Sequence, residues 1–176
     1  PYLIPFRYLY FTITAYFFFY FSPNYDLLKK YFWFICFHND DLLSNTTQLA
    51  QHIDFLNKEK TNQPYQFERF LIDKQRLRSA TYSSKGRMSR AILSLYASLK
   101  PKDWEHCDRE VLVQNFFFTT DKPNLHHIFP TNSEYVLNNQ HTNVITSDSL
   151  MNIAYLTQIT NLDITNRNPL EYMKDY

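Results

Sequence analysis

The chain has 176 residues, enough for one or two compact units, and a formal net charge of +1, so an anionic partner has to be met by a local basic patch. Sixteen phenylalanines, fourteen tyrosines and two tryptophans make up 18% of it, against a single glycine, Gly86. A phosphate-cradling P-loop and a GxGxxG dinucleotide turn both need several glycines and are excluded, and hairpin-rich β folds are disfavoured; a mainly helical chain with a ring-filled core is expected.

Residues 2–21 read as one apolar helix closed by Ser22-Pro23. Residues 8–25 carry no charge, but the run is short of the roughly 20 apolar residues of a membrane span and is rich in Tyr and Thr, so a buried helix is expected. No cleavable-signal pattern is visible, and the start at Pro1 reads as a fragment or an incomplete product. Ser22 can cap a second helix with Pro23 at its first position, running to about Phe37. Thr46 or Thr47 can cap a third, with Leu49, Ile53 and Leu56 on one face. A fourth is expected around Gln66–Arg78, with Phe67, Phe70 and Leu71 on one side. Cys36 and Cys107 stand 71 residues apart with no CxxC, which excludes a Cys-based zinc site and points to reduced thiols in a cytoplasmic protein.

Lys74–Arg90 holds six basic residues and no acidic one, and contains Gly86 in Ser84-Lys85-Gly86-Arg87. Such a run suits either a solvated face or contacts to a phosphate backbone. Tyr82 within it is a core ring or a base-stacking one. Helical periodicity resumes over Ser89–Leu99. Asparagine then becomes frequent, and a boundary is placed between about 101 and 120, giving a helical region over 1–110 and a second domain over 111–176. Val111–Thr119 fits either a short strand or a helix end.

The chemistry-bearing stretch is His126-His127-Ile128-Phe129-Pro130, followed by Asn152, a strand-like Ile153-Ala154-Tyr155-Leu156-Thr157, and Asn161. Adjacent histidines on a strand face opposite sides, so one can take a metal while the other works on substrate. His38, His52 and His106 have no partners at useful spacing and read as structural. The implied unit is strand, loop, strand, helix.

Together, His-His-Ile-x-Pro and Asn152-x8-Asn161 resemble the HNH (ββα-metal) nucleases, in the variant whose last ligand is Asn. The tail from Thr160 through Asn166, Arg167, Asn168-Pro169 and Tyr172, with Tyr82–Leu95 and Lys100–Asp103 upstream, is similar to the C-terminal part of GmrSD-like restriction endonucleases. The resemblance implies a helical N-terminal region followed by a ββα-metal unit, mainly α with a small α+β element. It makes His126 and Asn161 the metal ligands, His127 the general base, and Asn152 a brace for the loop that orients His127. Lys85, Arg87, Arg90, Asn166 and Arg167 become DNA contacts.

The implied cofactor is Mg2+ or Mn2+, completed by water and phosphate oxygens and held firmly only with DNA bound, with no structural zinc. The implied activity is metal-dependent DNA endonuclease in a modification-dependent restriction or phage-defence system, with modified-cytosine phage DNA as a substrate to test. The alternative is an inert DNA-binding or scaffold module that keeps the fold. No membrane partner is expected. The spacing of 25 residues from His127 to Asn152 is longer than in compact HNH units and includes His141 as a substitute ligand. The Asp-Gly-Gln-Gln-Arg signature of the ParB-like nucleotide-hydrolysing domain is absent, so that partner is expected as a separate domain or subunit.

Overall fold

The computed structural model describes residues 4–58, 67, 71–113, 120–132, 134 and 147–176. Residues 114–119 of the element expected at Val111–Thr119 and the substitute ligand His141 lie outside them. Seven α-helices and a two-stranded antiparallel sheet are found among the described residues, so the fold is mainly helical with a small β element. The chain forms two compact units, Pro1–Lys74 with Lys85–Ala91, and Gln75–Ser84 with Ile92–Tyr176. The second unit thus takes in Gln75–Ser84, most of the 87–98 helix and the 101–110 loop, all of which the sequence reading assigned to the helical region.

The first unit contains α1 (Arg7–Phe19), α2 (Tyr25–Phe37) and α3 (Thr46–Asn57). α1 begins after Pro5 rather than at residue 2, because the ring restricts Ile4 and supplies no N–H to a preceding turn. The caps also fall elsewhere than expected. Asn24, not Ser22, accepts from the Leu27 N–H at 3.0 Å, and its own N–H donates to the Tyr16 hydroxyl at 3.0 Å. Asn45, not Thr46 or Thr47, accepts from the Gln48 N–H at 2.9 Å, while the Gln48 side chain accepts from the Ser44 N–H at 2.8 Å. In both places an amide oxygen stands one position outside the first helical turn, where asparagine outranks threonine as a cap.

Leu9, Tyr16, Leu27, Tyr31, Ile35, Leu43 and Leu56 are buried together, with Phe34, Phe55 and Phe67 packed against them. Each ring removes a large apolar area from water, and the Phe34–Phe67 and Phe55–Phe67 pairs, 5.3 and 5.5 Å between centroids, add edge-on and tilted ring contacts. Of the fourth helix expected around Gln66–Arg78, residues 66 and 68–70 lie outside the described residues, and the described part holds α4 (Lys74–Arg78). Leu71–Asp73 is not helical, and Leu71 is 90% exposed while Phe67 packs into the core, so the two do not share a buried face. Cys36 is buried, Cys107 is exposed, and both are free thiols. No helix among the described residues is long and apolar enough to cross a membrane.

The second unit is built on β1 (Pro123–His127) and β2 (Ile153–Thr157), paired with Pro123 opposite Thr157 and His127 opposite Ile153. A two-stranded ribbon is marginal alone. Here Leu156, Ile164 and Tyr172 close beneath it with Trp104 alongside, using α6 (Gln158–Ile164) and α7 (Pro169–Tyr172). α5 (Arg87–Ser98) contributes the Leu93 carbonyl, which accepts from the Tyr155 hydroxyl, and Tyr96, whose hydroxyl donates to the Leu150 carbonyl, each at 3.3 Å. Ala80–Tyr82 runs beside Asp148–Leu150: Tyr82 N–H donates to the Asp148 carbonyl at 2.8 Å and Leu150 N–H to the Ala80 carbonyl at 2.9 Å.

Candidate metal and catalytic site

The alternation of β1 sends its two histidines to opposite faces. His126 turns inward and is 4% exposed; His127 is half-buried. β2 runs straight into α6, with Thr157 serving as both last strand residue and N-cap. That direct junction brings Asn161, in the first turns of α6, back over β1, where its Oδ1 lies 2.8 Å from His126 Nδ1. The other ring nitrogen, Nε2, lies 3.3 Å from the Tyr172 hydroxyl. Trp104 meets the His126 ring edge-on at 5.6 Å and stacks on Tyr172 at 6.1 Å. Burial lowers the His126 pKa below its usual 6.5, against a raising contribution from Asn161, which favours the neutral, lone-pair-bearing imidazole.

Two carboxylates fix α6 in place. Asp103, 1% exposed, accepts from the Thr157 N–H at 2.8 Å and the Thr160 hydroxyl at 2.6 Å. Asp121 accepts from the Ile159 N–H at 2.9 Å and from Arg109 at 2.8 Å, and the Lys122 carbonyl takes the Gln158 N–H at 2.8 Å. Negative charge at a helix N-terminus is favourable, and here the chain's own side chains satisfy those donors. Burial works against ionised Asp103, but the bonds from Thr157, Thr160 and His106 outweigh it and hold the carboxyl below its ordinary range.

The Asn152 side chain directs its hydrogen bonds to the backbone of Phe129 and Ser147 rather than to His126 or Asn161. Its Oδ1 accepts from the Phe129 N–H at 2.8 Å, and its Nδ2 donates to the Phe129 and Ser147 carbonyls at 2.9 and 2.8 Å. Its own carbonyl accepts from the Ile128 N–H at 2.9 Å. Both Nδ2 hydrogens and the Oδ1 of this buried side chain are engaged, and the turn immediately after His127 is clamped to the approach of β2. His127 Nε2 is buried with no hydrogen-bond partner, and the Asp148 carboxylate stands 3.9 Å away. Among the described residues no group of three or more His, Cys, Asp or Glu could hold a metal ion; His126 and Asn161 are one imidazole and one amide.

The five basic and polar residues expected at DNA are placed unevenly. Lys85 and Asn166 are exposed. Arg87 is committed inside the first unit: its guanidinium donates to the His38, Asp40 and Asn39 carbonyls at 2.9, 3.0 and 3.2 Å, closing the C-terminal end of α2, and lies over the Phe6 ring. A fixed cationic fork matches several free carbonyls at once, and the helix dipole favours it there. Arg90 reaches the Ile4 carbonyl at 3.5 Å, and Arg167 pairs with Asp175. The basic run is divided between the units: Lys85, Arg87 and Arg90 belong to the first, Arg76, Arg78 and Tyr82 to the second.

Of the residues read as structural histidines, His52 Nδ1 lies 3.2 Å from the Tyr31 hydroxyl and His38 Nδ1 accepts from the Asp40 N–H at 3.0 Å. Sequence reasoning missed Asp103, Asp121 and Trp104. Asp103 meets its partners across 54 and 57 residues, a separation that leaves no local pattern. Tyr172 had a visible signal in the Asn168-Pro169-x-x-Tyr172 tail, where Asn168 caps α7 by accepting from the Leu170 N–H at 3.0 Å. No protein-family profile, no curated protein and no solved structure matches the chain.

Proposed function

We propose that the second unit is an HNH-type, metal-dependent DNA endonuclease that hydrolyses phosphodiester bonds, working in a modification-dependent restriction or phage-defence system. The observation that carries this reading is the convergence of His126 Nδ1 and Asn161 Oδ1 to 2.8 Å from β1 and α6, with His127 on the opposite face of the same strand. Neighbouring ligands of an octahedral ion with bonds near 2.1 Å stand about 3.0 Å apart, so the two atoms fit adjacent positions on Mg2+ or Mn2+. Both donors are neutral, and water and phosphate oxygens would complete the set. Such an ion would neutralise charge developing on the scissile phosphate and the leaving oxygen.

The protein's own contribution is a base and its support. His127 takes a proton from the attacking water, and its buried Nε2 leaves Nδ1 as the nitrogen for that task. Asn152 keeps the turn after His127 from relaxing, while Asp103 and Asp121 keep α6, and so Asn161, in register with β1. Lys85, Asn166 and Arg167, the last paired with Asp175, are the exposed members of the expected DNA contacts. A ParB-like nucleotide-hydrolysing domain or subunit is the proposed partner.

A second reading, an inert DNA-binding or scaffold module, draws on the burial of His126 and on the side chains within hydrogen-bond distance of both its ring nitrogens. Incubation of supercoiled plasmid and of modified-cytosine phage DNA with Mg2+ or Mn2+, beside a chelator control, separates the two. The nuclease reading expects nicking or cutting that the chelator abolishes. DNA binding by a folded sample with no metal-dependent cleavage of either substrate would establish the second reading instead.

A further inference from the structure

We infer that Tyr172 is a positioning residue that holds His126 in the tautomer with its hydrogen on Nε2, leaving the Nδ1 lone pair facing Asn161. A carbonyl oxygen only accepts, so the bond between the Tyr172 hydroxyl and the Ile128 carbonyl uses the hydroxyl's one proton. Toward His126 Nε2, 3.3 Å away on its other side, the same oxygen can then only accept. Nε2 must therefore be the N–H of the neutral ring, and Nδ1 the bare nitrogen. In the opposite tautomer Nε2 would need the hydroxyl proton that Tyr172 already donates to the Ile128 carbonyl, and at a longer distance.

The position of Tyr172 is not free to drift. The side chain is completely buried, its ring stacks on Trp104, and the Ile128 carbonyl is fixed by the turn that Asn152 clamps. The relay thus runs from His126 through Tyr172 to the backbone two residues beyond His126. Its consequence is specific. With the proton on Nε2, two acceptors, Nδ1 and Asn161 Oδ1, face each other at 2.8 Å with no hydrogen between them. A cation relieves that opposition; in the metal-free chain a half-turn of the Asn161 amide does so, presenting Nδ2–H to Nδ1. Metal-binding histidines generally donate their other N–H to a fixed acceptor, and a phenol oxygen tied to a carbonyl serves here.

The tautomer stands on the bond from Tyr172 to the Ile128 carbonyl, together with a turned Asn161 amide or a cation between Nδ1 and Oδ1; its bearing on a metal rests on the function proposed above. Long-range 1H–15N correlation on the 15N-labelled, metal-free chain reads the tautomer directly. The expected result is a protonated Nε2 and an unprotonated Nδ1 for His126, shifting toward Nδ1–H in Tyr172→Phe, whose ring still packs on Trp104. A parent with Nδ1–H, or a folded Tyr172→Phe with an unchanged tautomer, overturns the inference. Should Tyr172→Phe not fold, the parent spectrum decides alone. Mn2+ titration followed by electron paramagnetic resonance is then expected to show binding weakened about 10–100-fold in Tyr172→Phe. Equal Mn2+ affinity in parent and variant overturns the role of Tyr172 at the metal while leaving the metal site standing. An Nε2–H parent that binds no Mn2+, with or without DNA, supports the tautomer and overturns the nuclease reading.

Discussion

The first unit is held mainly by rings and aliphatic side chains, while the second joins its apolar side chains to a network of buried polar groups. In the first, α1, α2 and α3 meet over a core of leucines, tyrosines and Ile35, and polar groups do their work at helix ends, through Asn24, Asn45 and Arg87. In the second, Leu156, Ile164 and Tyr172, with Trp104 beside them, lie under a two-stranded ribbon, and Ile92, Leu93, Leu150, Ile153 and Tyr155 are buried as well. Eight of the eleven buried polar residues among those described fall there, including Asp103, Asp121, His126 and Asn152. The contrast teaches that surplus apolar area tolerates imprecision. Phe11, Phe18 and Phe21 stay exposed in the first unit beside its buried core. A buried hydrogen-bonded network tolerates none, because a lost partner leaves a desolvated group unpaired.

The largest break in that comparison should come from Asn152→Ala. It removes three hydrogen bonds and leaves the Phe129 N–H and the Phe129 and Ser147 carbonyls to find new partners. A loss of about 3 kcal/mol in the stability of the second unit is expected. The tryptophans make the effect readable by unit, since Trp33 lies in the first and Trp104 in the second. In a denaturant titration, the Trp104 transition should move and the Trp33 transition should not.

Arg87→Ala tests the opposite side. Loss of three carbonyl contacts at the end of α2 should cost the first unit about 1–2 kcal/mol. Arg87→Lys should not restore it, as a single ammonium cannot span three carbonyls as a planar fork does. Lys85→Ala should leave stability alone and reduce the salt-dependence slope of DNA binding by about one. A slope change in Arg87→Ala without destabilisation would return that residue to the DNA surface.

Acid should sharpen the comparison more gently. Because the folded state holds the Asp103 carboxyl below its ordinary value of 3.8, its contribution is fully present above that value and fades as pH falls through the lowered one. Between pH 6 and 3, the Trp104 transition of the parent should weaken toward the acid end, and Asp103→Asn should flatten that dependence. The smallest effect is chemical. Burial pushes the Cys36 thiol up to about 12, with Arg87 pulling the other way, whereas Cys107 is exposed. A thiol reagent should label one cysteine in the native chain, Cys107, and reach Cys36 only when the first unit unfolds.

The elements legible in the sequence are those whose cause is local. The periodicity of α1 to α3 marks their existence. Ile153–Thr157 matches β2 residue for residue, and the polar stretch after it opens a helix, α6. The caps shifted because Ser22, Thr46 and Thr47 compete with adjacent asparagines, and side-chain identity alone does not decide which position leaves the helix. Arg87 was read as a DNA contact from its basic neighbours, yet its three carbonyl partners lie 47 to 49 residues away. Asp103 is hidden for the same reason. His126, His127, Asn152 and Asn161 were legible because a strand and a strand-to-helix junction fix their spacing, while Trp104 and the Ile128 carbonyl, which surround His126 and Tyr172, leave no trace in that spacing.

The most direct test of the central claim, that His127 is the base of a metal-dependent nuclease, is the cleavage rate of supercoiled DNA at saturating Mn2+ for the parent and for His127→Ala. Removal of a positioned base should lower the rate by about 10²–10⁴ with DNA affinity unchanged. Equal rates in the two proteins, or a folded, DNA-binding parent with no metal-dependent cleavage, would contradict it.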